Sequence, residues 1–143
     1  MEKISKLYQK VILQHNESPV NFEKHESADF VVEAYNPLCG DQFKIYLDMG
    51  GEKIARAAFF GYGCAISKAS TSVLVSRLEG LSLAEVGQLC EQFFTYVTPE
   101  KSPEKPHDAD FRAFEAAKQF PGRLKCAALS WEEIKNFVQD KKH

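Results

Sequence analysis

The hydrophobic period changes twice along this chain, and that limits the architectures open to it more than any other feature. Phe30, Val32 and Ala34 alternate with Val31, Glu33 and Tyr35, and Phe43, Ile45, Leu47 and Met49 alternate with Gln42, Lys44, Tyr46 and Asp48. Successive residues of a strand point to opposite faces, so each run predicts a strand with one apolar face. A third strand, Lys53 to Phe60, follows Gly50-Gly51, where glycine supplies the positive φ angles of a tight hairpin. The three strands predict an antiparallel sheet.

On either side of this block the period is helical. Ile4, Leu7, Tyr8, Val11 and Ile12 share one stripe of a helix ending near His15. After Cys64, the residues Ile66, Ala69, Val73 and Leu78 predict an inward-facing helix that Gly80 closes. Ser82 and Glu85 form a capping-box signal for a helix with Val86, Leu89, Cys90, Phe93, Phe94 and Val97 on its apolar stripe. Thr98-Pro99 ends it, and the Pro-rich stretch from Pro99 to Pro106 reads as an exposed loop. A shorter helix carries Phe111, Phe114 and Ala117. Pro121-Gly122 then reads as a break, Arg123 to Leu129 as a short Ala-rich segment, and Ser130 with Glu133 as the cap of a last helix bearing Ile134, Phe137 and Val138. The chain is expected to fray from about residue 138. Strands grouped early and helices grouped late predict an α+β domain over residues 1–143, with a three-stranded antiparallel sheet and helices packed on one face.

Composition narrows the function. With 143 residues, 44% of them hydrophobic and 12% aromatic, the chain can fill one core. A net charge of −2 leaves no basic surplus for a phosphate backbone, so nucleic acid is not an expected partner. The opening residues interleave lysines with apolar side chains, which fits neither a signal peptide nor a membrane span, and the expected location is the cytoplasm. Four cysteines, at 39, 64, 90 and 126, are then expected as free thiols, metal ligands or nucleophiles rather than disulfides.

Their local settings differ. Cys39 lies in the turn Asn36-Pro37-Leu38-Cys39-Gly40-Asp41, where a thiol can stand clear of the core. Asp41, two residues on, can share a centre with it or simply cap the turn. Cys64 follows Gly61-Tyr62-Gly63 at a predicted helix start, whose free N–H groups favour a thiolate; the alternative is a small buried residue. Cys126 sits beside Arg123 and Lys125, cations that would lower a thiol pKa, or else it is a buried cysteine in an Ala-rich turn. Cys90 falls inside an apolar stripe and reads as core. No Cys-x-x-Cys or His-x-x-x-His pair occurs, so any metal site must be assembled by the fold. Cysteine–histidine hydrolysis would need His15, His25 or His107 as base, and these read instead as titrating surface residues in settings without a motif.

Taken together, three motifs resemble those of the U-type iron–sulfur assembly family, which includes IscU, the N-terminal part of NifU, and SufU. They are Asn36-Pro37-Leu38-Cys39-Gly40-Asp41, Gly61-Tyr62-Gly63-Cys64-Ala65-Ile66-Ser67-Lys68-Ala69-Ser70, and Arg123-Leu124-Lys125-Cys126-Ala127-Ala128-Leu129-Ser130-Trp131. Leu7-Tyr8 to His15, with Pro19 and Asn21, also looks like the family's opening. Lys125 stands where IscU-type members have a histidine, and the stretch between the second and third motif cysteines is longer, as in the SufU branch. The resemblance implies one zinc held by Cys39, Asp41, Cys64 and Cys126, with an iron–sulfur cluster less expected. It implies a SufS-type cysteine desulfurase as partner, with downstream iron–sulfur assembly proteins receiving the sulfur. Cys39 would be the sulfur acceptor, Asp41 would ease its release, and Arg123 would have an auxiliary role toward the partner or an anionic sulfur. An IscU-like scaffold that builds the cluster, and a binding module with purely structural zinc, are the competing readings.

Overall fold

The computed structural model of the chain describes residues 2–98, 108–119 and 121–141. The expected Pro-rich loop, 99–106, falls outside them, as do His107 and the last two residues. Helix α1 (Glu2–Glu17) leads into three strands, β1 (Phe30–Asn36), β2 (Asp41–Gly50) and β3 (Lys53–Tyr62). These pair antiparallel in the order β1-β2-β3. The register sets Val32 opposite Ile45 and Ile45 opposite Phe59, so the apolar sets of all three strands share one face. Each strand extends one or two residues past its periodic run. In the β2–β3 hairpin it is Gly51 that takes the positive φ, +69°, while Gly50 still pairs with Lys53.

Helices α2 (Ala65–Ser76), α3 (Leu83–Val97), α4 (Ala109–Ala113) and α5 (Pro121–Lys141), with a 3₁₀ segment at Phe114–Gln119, complete the domain. The Ser82–Glu85 capping box closes on both sides: Glu85 N–H donates to Ser82 Oγ at 3.2 Å, and Ser82 N–H donates to Glu85 Oε1 at 3.0 Å. Helix α2 ends at Ser76, earlier than Gly80, and Leu78 is buried in the turn that follows. Arg77 there clamps Asp108, the N-cap of α4, through two bonds of 2.9 Å. The core centres on Trp131, which stacks on Phe93 at 4.0 Å between centroids and meets Phe111 edge-on at 5.4 Å. Tyr96, outside the apolar stripe read from the sequence, is buried beside Phe111.

The C-terminal third departs from expectation. Pro121-Gly122 falls between two helical segments as expected, since the 3₁₀ segment ends at Gln119, but it also opens α5 at once, because proline at a first turn removes an N–H that would lack a partner anyway. The helix then runs unbroken through the Ala-rich segment, so Cys126 is helical and Ser130 caps nothing. Instead Ser130 is buried, its hydroxyl 2.7 Å from Thr71 Oγ1 of α2. The S-x-x-E pattern at Ser130 is therefore a tertiary contact rather than a helix start. Fraying from residue 138 is not seen either: Val138 is buried and α5 continues to Lys141, whose ammonium lies over Phe30. Among the described residues no helix is long and apolar enough to cross a membrane.

Candidate metal centre

One end of the sheet gathers the three motifs. Cys39 stands on the four-residue turn between β1 and β2, where Asn36 Oδ1 accepts from Leu38 N–H at 3.1 Å and Asn36 O accepts from Gly40 N–H at 2.8 Å. Gly40 has φ +76°, a left-handed conformation suited to glycine, and it turns the chain back into Asp41. These local bonds hold the turn while leaving Cys39 exposed. Asp41, the first residue of β2, is buried.

Cys64 is the N-cap of α2. Its thiol accepts from Ser67 N–H at 3.4 Å, and Ser67 Oγ lies 3.5 Å away. Its own N–H donates to Asp41 Oδ1 at 2.9 Å, which ties the second motif to the first. Gly63 makes this approach possible: a Cβ there would come within 2.7 Å of both Asp41 Oδ1 and Ser67 Oγ. The expected helix-start placement of Cys64 is thus observed, and the residue is exposed rather than a core filler.

Cys126 reaches the same place from the first turns of α5. Ser70 Oγ donates to Ala127 O, Trp131 Nε1 donates to Ser70 Oγ at 2.9 Å, and the Thr71–Ser130 bond adds a third tie, so α2 and α5 fix the distance between Cys64 and Cys126. The ligand atoms of Cys39, Asp41 and Cys126 all lie within 4.8 Å of one another. Cys126 is half-buried and in hydrogen-bonding contact with Cys64, so the second thiol borders this trio.

The electrostatics run opposite to the sequence expectation. Arg123 and Lys125 do not lower the Cys126 thiol pKa; burial, then Cys64, Asp41 and Cys39, push it up to about 12. Both cations are exposed residues of the first turns of α5. Meanwhile Asp41 Oδ2 is buried with no hydrogen-bond partner, the only such side-chain atom among the described residues. A carboxylate oxygen with no donor, amid three sulfur atoms that repel one another once ionised, is a donor set that fits a thiophilic divalent cation.

The other candidates separate from this centre. Cys90 is fully buried on α3, and desolvation raises its thiol to about 12. His15 is not a surface residue: it is buried with Nδ1 2.7 Å from Ser72 Oγ, and burial lowers its pKa. His25 is bound to Asp48 at 2.5 Å. Neither belongs to the trio of metal-capable groups. Two supporting residues went unread in the sequence, Ser67 and Asn16. Serine three residues after a helix-capping cysteine is a signal that could have found Ser67; Asn16, which links α1 to Ala65 O at 2.7 Å, has no such signal.

Comparison with known proteins agrees with the motifs. Residues 7–127 match the NifU-like N terminal domain. The chain is 30% identical over 132 residues to the zinc-dependent sulfurtransferase SufU of Bacillus subtilis, covering 92% of this chain and 89% of that one. It is 28% identical to the iron–sulfur cluster assembly scaffold protein IscU of Streptococcus pyogenes, covering 97% and 87%. Among solved structures, one from Fervidobacterium islandicum, described as an iron–sulfur cluster assembly scaffold protein for the SUF system, superposes with a TM-score of 0.81 at 28% identity, covering 92% of this chain and 96% of that one. A NifU-like N-terminal structure from Brucella abortus shares the fold, at TM-score 0.81 and 20% identity over 98% and 99% of the two chains. With its three cysteine motifs drawn to one end of a three-stranded sheet, this chain belongs to the NifU-like N-terminal domain family.

Proposed function

We propose that this protein is a zinc-dependent sulfur acceptor for iron–sulfur cluster assembly, working in the cytoplasm with a SufS-type cysteine desulfurase. The observation that carries the reading is the buried, partnerless Asp41 Oδ2 among the thiols of Cys39, Cys64 and Cys126. Those four residues would hold one zinc per chain, and the ion when bound keeps the thiols ionised at neutral pH. The name of the Bacillus subtilis relative supports this choice of metal.

Cys39 is the acceptor in this reading because it is exposed on a turn, whereas Cys64 is held by Ser67 and Cys126 by α5. Its thiolate attacks the outer sulfur of the desulfurase's cysteine persulfide. The S–S bond breaks, the desulfurase cysteine leaves as a thiolate, and Cys39 carries the persulfide, so no external oxidant or reductant is consumed. Asp41, fixed through the Cys64 N–H, stays in place while Cys39 departs and returns. Arg123, exposed near the start of α5, is assigned the auxiliary role of holding the partner or the anionic sulfur. The sulfur then passes to downstream iron–sulfur assembly proteins.

The decisive experiment couples metal analysis to desulfurase turnover. One zinc per chain is expected, and Cys39→Ala should abolish stimulation of the desulfurase in the presence of a reductant. Full stimulation by Cys39→Ala would overturn the acceptor role. The scaffold reading is favoured by the relatives named IscU. Anaerobic reconstitution of a stable, transferable cluster on this chain would establish it instead.

A further inference from the structure

Exposure does not choose between two of the three thiols at the candidate centre. Cys126 is half-buried, but Cys39 and Cys64 are both exposed, so an electrophile from outside can reach either. Their hydrogen bonds separate them. Cys64 Sγ has both donors of Ser67 beside it, the N–H at 3.4 Å and the hydroxyl at 3.5 Å, whereas no hydrogen bond to the Cys39 sulfur is seen among the described residues. Cys126, the other neighbour of Cys64, offers no proton once both sulfurs serve as thiolate ligands.

The Ser67 side chain is built to turn toward that sulfur. The residue is buried, Thr71 Oγ1 donates to its carbonyl at 2.8 Å, and Gly63 leaves free the space where a Cβ would stand 2.7 Å from Ser67 Oγ. One hydroxyl proton has two acceptors in reach. Cys64 O takes it at 3.1 Å, yet that carbonyl already accepts from Lys68 N–H at 3.0 Å. Rotating the O–H toward Cys64 Sγ therefore moves no heavy atom and leaves no acceptor unpaired. A neutral thiol has little call on it, but an ionised sulfur draws the proton, and in a buried setting such a bond is strengthened.

We propose that Ser67 makes sulfur acceptance selective for Cys39: its N–H and hydroxyl engage the lone pairs of the metal-bound Cys64 sulfur and keep it a ligand, while Cys39, without donors, stays the nucleophile. The inference rests on the zinc-bound sulfur-acceptor reading and names what chooses within that site. Partners behind a ligand atom tune its basicity, and a thiolate of lower basicity attacks an electrophile more slowly. Ser67 acts through Cys64 and is a positioning residue.

The test treats the zinc-loaded full chain with iodoacetamide at neutral pH, follows alkylation of each cysteine by mass spectrometry of its peptide, and measures zinc alongside. No desulfurase is involved. In the parent, Cys39 should react ahead of Cys64. Ser67→Ala removes the hydroxyl but keeps the N–H and the Lys68 bond to Cys64 O, so one zinc per chain should remain. Its Cys64 should react about tenfold faster than the parent's, the worth of one hydrogen bond to a charged group, with Cys39 and Cys126 unchanged. Ser67→Thr, which restores a hydroxyl, should return Cys64 to the parental rate. An equal rise at all three cysteines would mean a loosened site and would overturn the inference. So would an unchanged Cys64 rate in Ser67→Ala, a parent whose Cys64 reacts as fast as Cys39, or loss of zinc from Ser67→Ala, which would make the serine a determinant of binding rather than of choice. These outcomes leave the zinc reading standing; a parent that binds no zinc overturns both.

Discussion

Cys90 and Cys126 have thiols displaced to the same extent, to about 12, with burial the leading cause for both. The surroundings differ. Cys90 lies in an apolar stripe with Val86 and Phe93, and the charges that reach it, Lys135 and Glu91, act in opposite directions. Its neutral thiol needs nothing further. Around Cys126 the additional causes are Cys64, Asp41 and Cys39, all groups that become anions. Crowding of that kind is relieved either by keeping protons or by admitting a cation. Equal displacements therefore have different causes, apolar packing around Cys90 and a gathering of acidic groups around Cys126.

That contrast can be broken in several ways. The largest effect should come from the metal. Zinc in closed thiolate sites carries on the order of 10 kcal/mol of apparent binding energy. Asp41→Ala or Cys126→Ser should therefore lose stoichiometric zinc and the thermal stabilisation that zinc confers, while Cys90→Ala keeps both, as read by metal analysis and calorimetry. Equal metal loss in Cys90→Ala would erase the distinction. Next, Phe93→Ala should cost about 3–5 kcal/mol in denaturant unfolding, because it opens a cavity against Trp131. The loss should be the same with and without metal if core and site are separable.

Ser130→Ala tests how far the two regions are tied. It leaves Thr71 Oγ1 with its bond to Ser67 O at 2.8 Å, so the stability cost should be about 1 kcal/mol. A measurable drop in zinc affinity is expected besides, since α2 and α5 would be less firmly fixed. The smallest effect concerns His15. Its folded pKa lies below its ordinary value of 6.5, so folding favours the neutral ring; stability is intact above that value and declines as pH falls through it and below, where the unfolded chain takes up the proton first. Urea midpoints should fall more steeply on acidification for the parent than for His15→Gln.

Where one period decided the outcome, the sequence was legible. The alternating strands, a hairpin between β2 and β3, the Ser82 capping box and the Cys90 core position all stand in the structure as their patterns indicate. Reading failed where a local pattern had two uses. Ser130-x-x-Glu133 fits a helix cap or a buried cross-helix bond, and the choice fell to packing against Thr71. His15 lies on a legible helix, yet its burial depends on Ser72, 57 residues away.

The candidate metal centre divides along the same line. By itself the sequence determined that Cys39 would sit on a turn and Cys64 at a helix start, because turn chemistry and helix capping act over a few residues. It could not determine that the two would share Asp41, or that Cys126 would arrive from a helix rather than a loop. Spacings of 25 and 62 residues carry no geometry of their own. The tertiary structure decided that, through the Cys64 N–H bond to Asp41 and the three ties between α2 and α5. Only then did one carboxylate oxygen lose every donor that could satisfy it.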